Sequence, residues 1–357
     1  MVVLGIDTHK RTHTVVAVDE RGRKLGERTI ATTSKDHFDL VVWADHLDPD
    51  HVQDQIWAVE DCRHLSRRLE RDLLAAGRRV VRVHPKLMAH VRNSARSYGK
   101  SDPIDALAVA RAALREPDLP TARLDGPSRD VDLLVNHRED LVAERTRAIN
   151  RLRWHLHELD PGLQLPARTL YRRKNLQLVH AFLDQCPGNE VVVHLARDLL
   201  GRCTQLTQNI NAIEKDIQAR VSVLAPTLLT IVGCAHLTAA KILGETAGVD
   251  RFRSKDAYAS YTGTAPLPVW SSNRPRHRLS RVGNRQLNAA LHRIAITQAH
   301  YHPAARQLLE RRRATGDGTA EALRILKRRL SDVVFQALHA DLHLGQASAT
   351  AQHPVAA

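Results

Sequence analysis

Apolar residues fall into short runs at the start of the chain and into long helical stripes further on. Residues 2–6 and 14–18 are compact apolar runs, and residues 24–30 read as a third strand after the turn 19–23. Three such runs joined by turns predict an antiparallel meander. Helical spacing follows in Phe38, Leu40, Val41, Val42 and Ala44. Next come a fourth strand at 56–59 that ends at Glu60, an amphipathic helix at 65–76 closed by Gly77, and a fifth strand at 80–83 stopped by Pro85. A last helix of this region runs from Asp102 to about Leu114.

The middle third is heptad-like. Val135, Val142, Ile149 and Leu156 recur every seven residues, with Val131, Leu152 and Leu159 partly filling the complementary positions and Arg138 and Arg145 interrupting them. A second stripe of Leu199, Cys203, Leu206, Ile210, Ile213, Ile217 and Leu224 has the spacing of a coiled coil, with Arg220 where a further seam residue belongs. Between the two lies a basic insert, Tyr171-Arg172-Arg173-Lys174. The pattern does not say whose helix fills the seam, so a hairpin within one chain and a dimerisation arm both remain open. From Pro226 the chain is mostly helical, with two short helices around Gly233, a polar Arg-rich segment at 271–285, and helices at about 286–298, 304–313 and 320–338. The end from Gly345 is small and polar and reads as disordered.

The strand and helix order of the first third, β-β-β-α-β-α-β-α, is that of the ribonuclease H-like fold. The expected organisation is an α/β ribonuclease H-like domain at 1–125, a helical coiled-coil region with a basic insert at 126–225, a mainly α-helical C-terminal domain at 226–343, and a disordered tail at 344–357.

Composition narrows the function. With 43% hydrophobic and 26% charged residues, the 357-residue chain has enough apolar mass for a core. Lys and Arg total 53 against 39 Asp and Glu, a formal net charge of +14. That surplus fits a polyanionic partner, nucleic acid first, although free use of arginine by a GC-rich genome gives the same balance. No run of about 18 apolar residues exists, so no membrane span is expected. The N-terminus lacks a basic segment before its apolar run, unlike a signal peptide. Cys62, Cys186, Cys203 and Cys234 are far apart, without a C-x-x-C pair. A reducing, cytoplasmic setting is the expectation.

Four acids stand out by placement: Asp7 at the end of the first strand, Glu60 at the end of the fourth, and Asp102 and Asp105 opening a helix. In a ribonuclease H-like layout the first and fourth strands are neighbours and the helix crosses their ends, so these carboxylates would converge. Two like charges about 4 Å apart repel by about 4 kcal/mol at an effective dielectric of 20. Such a cluster is tolerable when protonated or when it holds cations, and hard carboxylate oxygens suit Mg²⁺ or Mn²⁺. Taken alone, Asp102-Pro103-Ile104-Asp105 is also a good helix start, with Asp102 as N-cap and Pro103 at N1.

Gly5-Ile6-Asp7-Thr8-His9-Lys10, Val59-Glu60-Asp61 and Lys100-Ser101-Asp102-Pro103-Ile104-Asp105-Ala106 together resemble the Asp-Glu-Asp-Asp signature of bacterial insertion-sequence transposases of the group numbered 110. The N-terminal domain of that family resembles the Holliday-junction resolvase RuvC. The resemblance implies that Asp7, Glu60, Asp102 and Asp105 are catalytic metal ligands for Mg²⁺ or Mn²⁺.

The Arg-rich segment carries a second constellation. Arg274, Arg276, Arg278, Arg281 and Arg285 form a candidate nucleic-acid-binding stripe beside Ser271 and Ser272. From the residues alone these serines read as loop residues or phosphate donors. Gly263-Thr264-Ala265-Pro266 and Gly283-Asn284 resemble the family's second block, and that alignment implies that Ser272 is a nucleophile forming a covalent link to DNA. Asn273 replaces the usual glycine, so Ser271 stays in play. The family also resembles RNA-guided recombinases, which implies an element-encoded guide RNA, and a dimer or tetramer would join the acids of one subunit to the serine of another. Residues 231–241 resemble a helix-hairpin-helix with Ala235 in place of its second glycine. The alternatives are a junction-resolving nuclease using metal-activated water, an actin-like kinase or ATPase, and a non-catalytic DNA-binding protein.

Overall fold

Alternation along the first strands decides which side chains cover which face of the sheet. In β1 (Val3–Thr8), Leu4 and Ile6 join Val15 and Ala17 of β2 (Thr12–Val18) on one face, packed under α1 (Ser34–Asp45) and α2 (Arg67–Ala75). Val3, Val16 and Val18 cover the other face together with Ala106, Val109 and Ala110 of α3 (Asp102–Arg115). Both faces are covered, so the central strands read as nearly unbroken apolar runs. β3 (Lys24–Ala31) is an edge strand, mostly exposed and charged, which discourages pairing with another sheet.

The computed structural model describes residues 1–60, 65–83, 87–88, 101–116, 119, 121–122, 126–186, 190–271, 274–279 and 283–352, with 268–271, 274–279 and 348–352 described by backbone alone. With β4 (Ile56–Glu60) and β5 (Arg79–Val83), the sheet order is β3-β2-β1-β4-β5. β1, β2 and β3 pair antiparallel, as the meander predicted, and β1–β4 and β4–β5 pair parallel. This is the ribonuclease H-like strand order. The start of α3 differs from the sequence reading: Ser101 is the N-cap and Asp102 the first helical residue, because the Ser101 carbonyl accepts from the amides of Ile104 and Asp105.

The chain divides into two compact units, one of Met1–Gly126 with Gly248–Gly283 and one of Pro127–Ala247 with Asn284–Ala357. In the second unit α4 (Pro127–Leu159) packs on α6 (Glu190–Leu224) of the same chain. The pair is antiparallel: Asp130 meets Arg220 at 3.7 Å, Arg138 meets Glu214 at 2.6 Å, and Glu144 meets Arg202. Arg138 and Arg145, which broke the heptad in the sequence, are matched across the seam by Glu214 and by the Thr207 hydroxyl at 3.2 Å. The seam itself differs from the expected one at its end. Val221 is buried where Arg220 had left a gap, and Arg220 turns out to Asp130 and Asp216.

α5 (Arg173–Gln185) closes the end of this pair, with Leu176, Val179 and Leu183 set among Leu152, Leu156 and Leu170. The remaining helices of this unit are α7 (Pro226–Leu229), α8 (His236–Thr246), α10 (Arg285–Tyr301), α11 (Pro303–Ala314) and α12 (Thr319–Gln352), while α9 (Lys255–Tyr261) belongs to the first unit. α12 continues past Gly345, where the sequence reading placed a disordered tail. Among the described residues no helix is long and apolar enough to cross a membrane.

Candidate metal-binding active site

Gly5 sets the geometry of the acidic cluster. A Cβ there would lie 2.1 Å from the Ala106 carbonyl oxygen and 2.3 Å from the Ala110 nitrogen, so only glycine lets α3 rest directly on β1. Asp7 lies two residues beyond Gly5 on the same side of the strand, Asp105 directly precedes Ala106, and Asp102 is one turn earlier. Parallel pairing of Ile6 with Val59 puts Glu60 level with Asp7 on the neighbouring strand. The close approach of strand and helix thus brings acids from three distant stretches of the chain to one end of the sheet.

The electrostatics fit that convergence. Asp7 is 4% exposed and Asp105 8%, while Asp102 is exposed and Glu60 partly so. Burial pushes the Asp7 carboxyl above its ordinary value, the neighbouring His9 draws it back, and Glu60, Asp105 and Asp102 each push it further up by like-charge repulsion. The His9 Nε2 lies 3.2 Å from Asp7 and 3.3 Å from Asp102, and the ligand atoms of these three residues all lie within 4.8 Å of one another. The imidazole lies between two of these carboxylates. A set of hard oxygen donors around one such point fits Mg²⁺ or Mn²⁺.

His9 carried no role in the sequence reading. The turn after β1 returns it over the strand end, with its amide bonded to the Thr12 carbonyl at 3.0 Å. The signal available was its place two residues after Asp7 at the head of a tight β-turn.

The second constellation falls on a β-hairpin, β6 (Pro266–Ser271) and β7 (Arg274–Leu279), where the sequence reading had a polar segment. Pro266, Pro268 and Pro275 hid these strands, since proline weakens a strand assignment. Arg274, Arg276 and Arg278 lie on β7 opposite Ser271, Val269 and Leu267. Ser272 and Arg281 lie outside the described residues, and Ser271 is described by backbone alone. Arg285 is exposed in the first turn of α10.

The flanking motif residues have structural reasons of their own. A Cβ on Gly283 would sit 2.2 Å from the Gly263 backbone, so two chain segments touch there through glycines. Asn284 caps α10, accepting from the amides of Gln286 and Leu287 and donating to Glu245 at 2.8 Å. In the 231–241 segment, Gly233 has φ +89° and its Cβ would meet Thr297 at 2.9 Å, while Lys241 is buried against Glu139 at 3.0 Å. This turn is packed into its own unit, as a plain helical turn would be. Burial pushes the thiols of Cys203 and Cys234 up to about 11 and about 12, so neither is a ready nucleophile.

Residues 4–161 match the family model for the DEDD transposase of IS110, described as Transposase, and residues 225–310 match the model described as Transposase IS116/IS110/IS902 family. The chain belongs to the IS110 family of transposases. It is thus an enzyme that acts on DNA, and the actin-like kinase and non-catalytic readings fall away. The 42 kDa protein of insertion element IS900 from Mycobacterium paratuberculosis is 26% identical over 97% of this chain and 98% of its own length. The 44.8 kDa protein of insertion element IS116 from Streptomyces clavuligerus is 28% identical over 94% of each. RuvC of T. thermophilus, solved with a Holliday junction substrate, is 16% identical and covers 34% of this chain and 99% of its own at a TM-score of 0.27.

Proposed function

We propose that this IS110-family transposase cuts and rejoins DNA strands at a divalent-cation site made by Asp7, Glu60, Asp102 and Asp105, with Ser272 as nucleophile. The observation that carries the reading is the gathering of the other three acids and His9 around the buried Asp7. Mg²⁺ or Mn²⁺ held there would offset charge on the attacking and leaving oxygens of a phosphodiester. Asp7 and Asp105, held by β1 and α3, supply rigid oxygen donors, and the more exposed Asp102 and Glu60 face the solvent side from which a DNA backbone approaches.

In this reading the Ser272 Oγ loses its proton and bonds to phosphorus while the bond from phosphorus to the DNA sugar oxygen breaks and that oxygen takes up a proton. The covalent serine–DNA link conserves the phosphodiester energy, so rejoining needs no ATP. Arg274, Arg276, Arg278, Arg281 and Arg285 hold phosphates next to it. A homo-oligomer, dimer or tetramer, joins the acids of one subunit to the serine of another, and an element-encoded RNA selects the DNA. The net charge of +14 supports polyanionic partners.

The test incubates the full chain with the element's flanking DNA, its RNA and Mg²⁺, and looks for recombinant product and a serine-linked DNA adduct. Product without any adduct, retained by Ser272→Ala, replaces this reading with hydrolysis by metal-activated water.

A further inference from the structure

Trp154 is 74% exposed in the middle of a folded helix, whereas Trp57 is fully buried in the sheet domain. Indole is a large apolar surface that proteins rarely leave in water without a use. On α4, Arg147, Asn150 and Arg151 lie seven, four and three residues before Trp154, so all four share one face, and all are exposed. Neither Arg147 nor Arg151 has a carboxylate partner among the described residues, although Arg138 on the same helix is matched by Glu214. Glu158, one turn further, is the acid that ends this face.

The neighbouring basic insert is fastened beside the same stretch of helix. Arg153 donates to the Pro166 carbonyl at 3.1 Å, and the Tyr171 ring receives the Arg145 guanidinium at 4.8 Å. Arg172, Arg173 and Lys174 then project from it exposed. An aromatic plane flanked by uncompensated guanidinium groups matches the chemistry of unpaired nucleotides: the base stacks and the phosphates on either side meet arginines. Duplex DNA keeps its bases stacked inside and offers no free face. A second copy of this chain is the competing occupant, and the oligomeric state of the Trp154 variant below distinguishes it.

We propose that the outer face of α4 binds unpaired nucleotides, with Trp154 stacked on a base and Arg147 and Arg151 holding the adjacent phosphates. The site belongs to the helical unit and shares no residue with the acidic cluster, so it goes beyond the catalytic reading.

The experiment follows tryptophan fluorescence of the full chain in EDTA during titration with a twelve-residue oligothymidylate, a twelve-residue oligouridylate, and a mixed-sequence duplex of the same length. Either single strand should quench the emission, and whichever binds more tightly identifies DNA or RNA as the natural source. The Trp154→Phe chain should lose that quenching and keep most of its affinity, while Trp154→Ala should bind about tenfold more weakly. Arg147→Ala and Arg151→Ala should each lower the slope of log affinity against log salt by about 0.7. Asp7→Asn should leave the quenching intact, which separates this site from the catalytic one. Equal quenching by duplex, unchanged affinity in Trp154→Ala, or conversion of a dimer to a monomer by Trp154→Ala with unaltered oligonucleotide binding would each overturn the proposal.

Discussion

The acidic cluster and the basic face of α4 oppose each other in more than charge. The cluster sits where a strand and a helix touch through Gly5, Ala106 and Ala110, and its central carboxylate is buried. Its residues come from three places in the first 105 residues, and their positions depend on sheet order and on one missing Cβ. The α4 face is local: four residues within eight positions of one helix, exposed and placed by helical periodicity alone. Function built on a tertiary junction is sensitive to packing and pH, and function built on a helix face is sensitive mainly to the side chains that form it.

The largest expected effect tests the first half of this contrast. Asp7→Asn should reduce DNA strand cleavage by more than about 100-fold, because changing even an outer-shell group at a metal site costs about 10–100-fold. Mn²⁺ should raise the melting temperature of the wild type in differential scanning fluorimetry, and the same change should abolish that rise. A variant that still cleaves and is still stabilised by Mn²⁺ would remove the acidic cluster from the mechanism.

Acid should separate the two regions. His13 is buried on β2, stacked on His37 with ring centroids 5.4 Å apart, and burial and then the neighbouring His37 lower its pKa from 6.5 to about 4. The unfolded chain takes up this proton below about 6.5 and the folded chain does not until about 4. Stability contributed by His13 is therefore full above 6.5 and lost as pH falls toward 4, by about 3 kcal/mol at most. Emission of the buried Trp57 should change over this window while the helical circular dichroism of the α4–α6 pair persists. His13→Gln should flatten the transition; an unchanged acid transition in that variant would locate the sensitivity elsewhere.

Gly5→Ala should cost about 1–3 kcal/mol in urea denaturation, the usual range for forcing an extra carbon into a packed contact. It should also weaken Mn²⁺ stabilisation, since α3 must lift from β1 and carry Asp102 and Asp105 with it. Retained Mn²⁺ stabilisation would show that the cluster tolerates a looser junction. The smallest effect is expected on the hairpin. Arg138→Met should cost about 1 kcal/mol or less, because the ion pair with Glu214 is partly solvated. A loss of several kcal/mol would show that the seam pair acts as part of a larger network.

The inner strands of the sheet were legible because they are short apolar runs cut off by polar turns, β3 was legible only by its place after the turn 19–23, and Asp7 and Glu60 were visible as charges ending such runs. The hairpin β6–β7 was not, since its prolines and arginines suppress any strand pattern. Nor was the role of His9, which has no periodicity and gains meaning from its distances to Asp7 and Asp102. At the end of the α6 stripe, heptad counting marked Arg220 as a gap, whereas a step of four from Ile217 reaches the buried Val221.

Residue order by itself carries the succession of strands and helices, the acids at their ends, the heptad stripes and the basic surplus, because these follow from local periodicity and from charge. Folding had to supply the pairing of β1 with β4, the seating of α3 on Gly5, the matching of α4 to α6 within one chain, and the return of His9 over the strand end. Each of these is a contact between residues far apart in the chain. Such contacts are selected by how surfaces fit and which charges they bring together, information that no single stretch of sequence contains.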